Sequence, residues 1–145
     1  MSIIRPLELP KAPLRLKRKD GEVYVRCVIR NKDLVMTPEE WVRQHVIHFL
    51  INEKGISKGR IASELALNYN GRLKRADIVV FDAFGAPEMI VECKAPDIKI
   101  SEKTLYQIAQ YNSELNVRRL MLTNGLKHMY CKIDQEITFS EDWVD

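Results

Sequence analysis

The fold is decided by two stretches, RADIVVFD at residues 75–82 and MIVECKAP at residues 89–96. Their runs of Ile and Val predict two buried β-strands. The strands nevertheless carry Asp77, Glu92 and Lys94, and ionised groups in apolar strands cost several kcal/mol unless another group compensates them. A hard divalent cation held by the two carboxylates would compensate them, so the sequence predicts a metal site here.

The N-terminal part is predicted to contain a β-hairpin followed by a helix. Asp20-Gly21 suits a type I′ turn between the alternating segments of residues 14–28. Thr37 is expected to cap the helix, and Glu40 is expected to complete a capping box with it. Gly55 is expected to end the helix.

The remainder is predicted to form a mixed sheet with a second helix. Residues 61–69 are expected to run antiparallel to the two quoted strands. Ser101 is expected to cap the second helix, and shorter strands follow at 119–123 and 129–133. The predicted fold class is therefore α/β (α+β), in a single domain of residues 1–145. Its segments are an N-terminal extension and hairpin (1–35), a core (36–135) and a tail (136–145).

Composition and cysteine usage indicate a soluble protein. The chain is 46% hydrophobic and 30% charged, which is ordinary for a globular domain. No apolar run approaches a membrane span, and the N-terminus lacks a signal sequence, so we expect a cytoplasmic location. Three widely spaced cysteines, and the histidines at 45, 48 and 128, suggest neither a zinc site nor a disulfide framework.

Charge is distributed unevenly along the chain. The overall net charge is only +3, but residues 1–76 carry a net charge of +8 and residues 77–145 a net charge of −5. A basic part beside an acidic part suits a protein that binds a polyanion with its basic part and cations with its acidic part. Chance clustering on solvated faces explains the same distribution about equally well.

The charged residues of the two quoted strands suit phosphodiester hydrolysis. Glu92 and Lys94, two apart on a strand, share a face, and Asp77 can lie beside Glu92. Carboxylates that hold Mg²⁺ lower the pKa of a bound water, and a lysine orients that water or stabilises charge on phosphorus. The alternative is a structural ion cluster. The triplet alone is weak evidence, since Asp97-Ile98-Lys99 has the same form without the apolar lead-in.

Further motifs in the same order extend this pattern. They are TPEEWVRQ at 37–44, QIAQYN at 107–112 and LTNG at 122–125. With the two strands, the chain resembles the PD-(D/E)xK nuclease superfamily, and more narrowly the N-terminal nuclease domain of the R (restriction) subunit of type I restriction enzymes. The resemblance implies a restriction-endonuclease-like core, with a central mixed sheet flanked by helices. It also implies a Mg²⁺ cofactor, replaceable by Mn²⁺, and a DNA substrate.

The resemblance assigns roles to the central residues. Asp77 and Glu92 correspond to the metal ligands, with the carbonyl of Cys93 as a third, and Lys94 corresponds to the catalytic lysine. An acidic residue on the first helix is also implied beside the metal. We favour Glu39, because Glu40 has a capping role and Glu39 shares a helix face with the core stripe. Glu64 on the first central strand is another candidate.

The QxxxY motif of this branch corresponds to Gln107 and Tyr111. One helical turn apart, they would share a face and reach the active site or the DNA backbone. The alternative is that Tyr111 covers the sheet and Gln107 is solvated. Basic residues form the expected DNA-facing surface, unless they are only solvated turns. They are Arg72, Lys74 and Arg75 before the strand of Asp77, and Lys17, Arg18 and Lys19 in the hairpin.

Two departures from the family are visible. Ala76 stands where the motif's name has proline, which changes a turn preference rather than a chemical group. No Walker-type loop of a DNA-translocating motor is present, so we do not expect a full restriction subunit. The leading hypothesis is a Mg²⁺-dependent endonuclease, which needs a homodimer to cut both strands. The alternatives are a catalytically silent nucleic-acid-binding module and a nuclease subunit that acts only with a separate motor or specificity protein.

Overall fold

The computed structural model describes residues 4–69 and 71–143, which form two sheets and two helices. The elements, in chain order, are β1 (Leu16–Lys19), β2 (Glu22–Cys27), β3 (Lys32–Val35), α1 (Pro38–Asn52), a 3₁₀ turn (Lys58–Arg60), β4 (Ile61–Tyr69), β5 (Arg72–Phe81), β6 (Pro87–Cys93), α2 (Glu102–Glu114), β7 (Arg119–Thr123), β8 (His128–Ile133) and β9 (Ile137–Ser140). Among the described residues, neither α-helix has the length and apolar character needed to cross a bilayer.

The N-terminal sheet is an antiparallel meander of β1, β2 and β3. The predicted turn between β1 and β2 is confirmed, with Asp20 at φ 52° and Gly21 at φ 82°. Both central residues of a type I′ turn need positive φ. The third strand was not predicted. It has only four residues and follows a turn at Asn31, whose φ is 56°. The expected hairpin is therefore a three-stranded sheet.

The central sheet has the strand order β4-β5-β6-β7-β8-β9 and confirms the predicted mixed sheet. Neighbouring strands are antiparallel except β6 and β7, which run parallel and are joined through α2. A crossover of this kind suits parallel neighbours. β9 comes from residues 136–145, which we assigned to the tail. It pairs with β8 across a short turn, with Ile133 opposite Ile137.

The first helix begins and ends near the predicted residues. The Thr37 hydroxyl accepts a hydrogen bond from the Glu40 amide at 3.0 Å. The Glu40 carboxylate, however, turns inward and accepts from Gln44 Nε2 at 2.9 Å. It therefore serves the interior rather than the predicted capping box. Gly55, at φ 67°, turns the chain after the helix.

The helices cover opposite faces of the central sheet. Val46 and Leu50 of α1 pack with Ile78 and Val91 on one face, together with residues of the N-terminal sheet. On the other face, the core is centred on α2, where Leu105 is fully buried. Burial of apolar area on both faces is the main driving force for this arrangement.

We predict that Gly125→Ala lowers the free energy of unfolding by more than the strain of its left-handed backbone alone would. Gly125 has φ 85°, and a Cβ there would lie 2.8 Å from Leu7 Cδ2 and 3.0 Å from Val42 Cγ2. Gly85→Ala is the matched control, because Gly85 has φ 87° and nothing within 4 Å. The control should lose about 1–2 kcal/mol of unfolding free energy, and Gly125→Ala roughly 1–3 kcal/mol more. Urea denaturation measures both, and equal losses would contradict the packing argument.

Candidate active site

The strand pair β4–β5 is interrupted where Glu64 and Asp77 face each other. Ser63 pairs with Ile78 and Leu65 pairs with Ala76, and the regular pairing skips the position between them. Glu64 has φ 55°, a left-handed conformation that costs a residue of this type on the order of 1–3 kcal/mol. Strain of this kind within a strand points to a functional constraint.

The interruption exchanges the two faces of both strands. On β4, Ile61 packs in the core on the α1 face, whereas Leu65 packs in the core on the α2 face. On β5, Ala76 belongs to the α2 face and Ile78 to the α1 face. In an unbroken strand, residues separated by an even number share a face. At this crossing of the two strands near Glu64 and Asp77, side chains can therefore reach faces of the sheet that regular alternation would not give them.

Asp77 is fixed at this crossing by the neighbouring strand. Its Oδ2 accepts a hydrogen bond from the backbone amide of Cys93 at 2.8 Å, and its side chain is 19% exposed. Cys93 is the last residue of β6, so the bond ties the carboxylate to the end of that strand. The Cys93 thiol is buried in the α1-side core, and burial raises its pKa well above the ordinary value.

The side chain of Glu92 lies on the face of β6 opposite to that of Cys93, and its carboxylate approaches the Asp77 carboxylate. Burial raises the pKa of Glu92 to about 7, and the negative charge of Asp77 and a hydrogen bond with it act in the same direction. The positive charges of Lys74 and Lys94 oppose this rise in the pKa. The carboxylates of Asp77 and Glu92 therefore share a partly buried space beside Lys74 and Lys94.

Lys94 and Glu39 approach the same space. The Lys94 amide donates to the Thr123 carbonyl at 2.8 Å, which holds the chain against β7 just after β6 ends. Glu39 lies in the first turn of α1. Burial raises the pKa of Glu39, the charge of Asp77 adds to the effect, and the charges of Arg43 and Lys94 oppose it. Glu39 therefore joins the cluster.

Arg43 is a central residue of the cluster that sequence reasoning did not single out. Its side chain is only 6% exposed, and its guanidinium Nη1 lies 2.9 Å from Glu64 Oε1. Three further carboxylates surround it, at 3.4 Å for Glu39, 3.6 Å for Glu40 and 3.9 Å for Asp77. Burial opposes protonation of Arg43, but its close ion pair with Glu64 and the other surrounding negative charges outweigh burial and raise its pKa.

A signal for Arg43 was present in the sequence. It follows Glu39 by four residues and Glu40 by three, which are the spacings of helical ion pairs. It also stands within the apolar stripe of α1, beside Val42. A cation on a buried helix face needs an acidic partner. That partner, Glu64, lies on β4, and only the tertiary structure reveals it.

The two residues of the predicted QxxxY motif, Gln107 and Tyr111, lie in different environments. Lys74 Nζ lies 3.9 Å from the centroid of the Tyr111 ring, a distance at which cation and ring attract. Because the Lys74 charge also acts on Glu92, Tyr111 connects to the acidic pair through this lysine. Gln107, one turn earlier on α2, is exposed.

The predicted DNA-facing residues lie on two surfaces. Arg72 and Arg75 are exposed on β5. The pKa of Glu64 is lowered mainly by the adjacent Arg43 guanidinium, and the charge of Arg75 lowers it further. The hairpin residues Lys17, Arg18 and Lys19 are exposed on β1. Lys17 forms an ion pair with Asp33 at 2.8 Å.

The fold and this cluster define a class of protein. A mixed sheet between helices, with carboxylates and a lysine where its central strands end, is restriction-endonuclease-like. The model of the family described as type I restriction enzyme R protein N terminus (HSDR_N) matches residues 38–141, and the chain belongs to this family. The predicted relation is thus confirmed, and the match includes β9. No curated protein matches the chain.

We predict that Arg43→Met strongly destabilises the protein. The variant leaves the carboxylates of Glu39, Glu40, Glu64 and Asp77 without their shared cation, and breaking a buried ion pair costs about 3–5 kcal/mol. Arg5→Met is the control, because it removes an exposed pair with Asp97 worth about 1 kcal/mol or less. Urea unfolding compares the two, and similar small losses would show that Arg43 is dispensable.

We also predict that Glu92 makes the metal-free protein less stable at higher pH. The pKa of its carboxyl is about 7 in the folded state, against an ordinary value of 4.5. A raised pKa gives stability that is complete below the ordinary value and is lost as the pH rises through the folded value. Between about pH 5 and pH 8, the wild type should lose about 2–3 kcal/mol relative to Glu92→Gln.

Urea unfolding in the presence of a chelator measures this dependence. The exposed substitution Glu53→Gln serves as the control and should follow the wild type at every pH. A constant stability difference between wild type and Glu92→Gln would show that the Glu92 carboxyl does not hold a proton in this range.

Proposed function

We propose that the protein is a divalent-metal-dependent nuclease that hydrolyses phosphodiester bonds in DNA. One observation carries the proposal: the Asp77 and Glu92 carboxylates meet beside Lys94 where β6 ends, in a chain of this restriction-enzyme family. Membership of the family does not by itself establish catalysis. The convergence of these three groups, two of which repel each other, supports it.

The donors at this site suit a hard cation. Asp77 and Glu92 would hold Mg²⁺ or Mn²⁺, together with the Cys93 carbonyl, because oxygen ligands are those that Mg²⁺ prefers. A bound ion neutralises the phosphate and lowers the pKa of an attacking water. Among the described residues, no group of three or more His, Cys, Asp or Glu side chains is placed to hold a metal. Water and DNA phosphate oxygens would therefore complete the coordination.

The remaining residues of the site would act on the substrate or on the carboxylates. Lys94 would orient the attacking water or stabilise charge on phosphorus. Lys74, which lies against the Tyr111 ring and whose charge acts on Glu92, would neutralise a phosphate beside Glu92. Arg72 and Arg75 would contact the DNA backbone farther along β5, and Gln107 would contact it from α2.

A second candidate is a nuclease that is completed only by a partner. The observation that favours it is the limited donor set, because two side-chain carboxylates bind Mg²⁺ weakly without further oxygens. Asp77 Oδ1 also lies 3.9 Å from Arg43, which competes with a cation for the carboxylate. A motor or specificity subunit that orders DNA at the site would supply the missing ligands. Cleavage of both strands by the protein alone would instead need a homodimer.

We predict that Asp77→Asn, Glu92→Gln and Lys94→Ala each reduce DNA cleavage by roughly a hundredfold or more. Nicking of supercoiled DNA, measured with Mg²⁺ and with Mn²⁺, gives the rates. The exposed triplet of Asp97 and Lys99 offers a matched control, and Asp97→Asn and Lys99→Ala should cleave like the wild type. Folded site variants that cleave at the wild-type rate would refute the proposal.

Calorimetric titration of Mn²⁺ separates the two candidates. Binding that disappears in Asp77→Asn and Glu92→Gln, together with cleavage by the isolated chain, supports the autonomous nuclease. An inactive isolated chain that cleaves once a motor or specificity subunit is added supports the partner-dependent form. Salt-sensitive DNA binding that ignores metal, without cleavage in any mixture, would mean that the protein is a binding module.

A further inference from the structure

A second cluster of basic residues surrounds a cavity at the other end of α1. The half-open cavity, of about 440 Å³, lies between the N-terminal sheet and the end of α1. Its polar lining consists of Arg15, Arg26, Asn31, His48 and Lys58. The first three precede residue 38, where the family match begins. The cavity therefore combines the N-terminal sheet with the family core and includes none of the proposed catalytic residues.

The cations of the cavity are incompletely compensated. Arg15 and Arg26 are cross-strand neighbours, since the Arg26 amide donates to the Arg15 carbonyl at 2.9 Å, and like charges placed opposite each other are unfavourable. Arg26 has Asp33 at 3.6 Å and the Asn31 Oδ1 acceptor at 3.0 Å. Within residues 4–69 and 71–143, no carboxylate lies within 4.0 Å of the charged nitrogens of Arg15 or Lys58.

His48 forms part of the wall of the cavity. Its side chain lines the cavity, the residue is only 9% exposed, and its Nε2 is buried without a hydrogen-bond partner in the described part of the chain. Buried polar atoms are nearly always paired, so an unpaired one needs an explanation. Burial lowers the pKa of His48, and the charges of His45 and Lys58 lower it further.

We propose that this cavity binds a phosphate group, carried either by a nucleic-acid backbone or by a free nucleotide. A phosphate offers one negative charge in a backbone diester or up to two in a nucleotide monoester, together with several acceptor oxygens. It would compensate Arg15 and Lys58 through charge-assisted hydrogen bonds. The Asn31 amide nitrogen would complete the site as a neutral donor. Binding here needs neither metal nor cleavage, so the proposal does not depend on the proposed function.

Calorimetric titration with a chelator present tests the site with three probes. They are inorganic phosphate, thymidine monophosphate and a six-nucleotide oligothymidylate. We expect Arg15→Gln/Lys58→Gln to weaken binding of the phosphate probes roughly tenfold or more, because each charge-assisted bond contributes substantially. Lys103→Gln/Arg118→Gln removes the same charge from exposed positions on and after α2. It should change the affinity by less than about twofold if a defined site binds the phosphate.

The two sources of phosphate are distinguished by the probes. Equal, variant-sensitive binding of the monophosphate and the oligonucleotide indicates a nucleotide site. Variant-sensitive binding of the oligonucleotide alone indicates a backbone contact. Equal weakening in both double variants, or no saturable binding of any probe to the wild type, overturns the proposal.

Nitrogen NMR of the histidine rings gives a second readout. The chain has three histidines, and phosphate should shift the His48 ring signals most strongly. His128 is the internal reference, because its ring nitrogens lie 2.7 Å from Thr123 Oγ1 and 2.6 Å from the Glu8 carbonyl oxygen. Phosphate binding that leaves the His48 signals unchanged would place the anion elsewhere and overturn the assignment.

Discussion

The buried Arg43 guanidinium is the charge on which the candidate site depends. Four carboxylates lie within 4 Å of it, and two of them, Glu64 and Asp77, face each other where β4 and β5 cross. Glu64 holds a left-handed backbone there, and its ion pairs with Arg43 and Arg30 offset that strain. The crossing of β4 and β5 and the acidic cluster therefore depend on the same residues. The ion pair of Arg30 with Glu64 connects them to the N-terminal sheet.

This crossing explains how one site draws on both faces of the sheet. Asp77 and Arg43 approach from the α1 face, whereas Glu92 and Lys74 belong to the α2 side with Tyr111. Without the exchange of faces at Glu64, alternation along β5 would place Lys74 and Ala76 on the α1 face, together with Ile78. Tyr111 on α2 would then lack its cation. The strained residue thus permits the arrangement that the proposed chemistry requires.

The sequence predicted those parts of the molecule that depend on local signals. Thr37, the Asp20-Gly21 turn and the charged residues of two apolar strands were recognisable because each stands out from its neighbours. β3 and β9 were missed because four residues are too few to show a periodicity. Arg43 was not singled out for a different reason: its partner Glu64 lies on another element, β4, and the two meet only in the folded structure.

The two ends of α1 present opposite electrostatic situations. Near its start, Arg43 is enclosed by acids and is largely neutralised within the protein, so it contributes little to the field in solution. Near its end, Arg15 and Lys58 beside the cavity are without acidic partners among the described residues. The positive charge of the N-terminal half is therefore felt by a polyanion mainly at the N-terminal sheet and along β5. The three strands of that sheet, residues 16–35, all precede residue 38, where the family match begins, so the basic residues that this sheet contributes to the cavity lie outside the matched region.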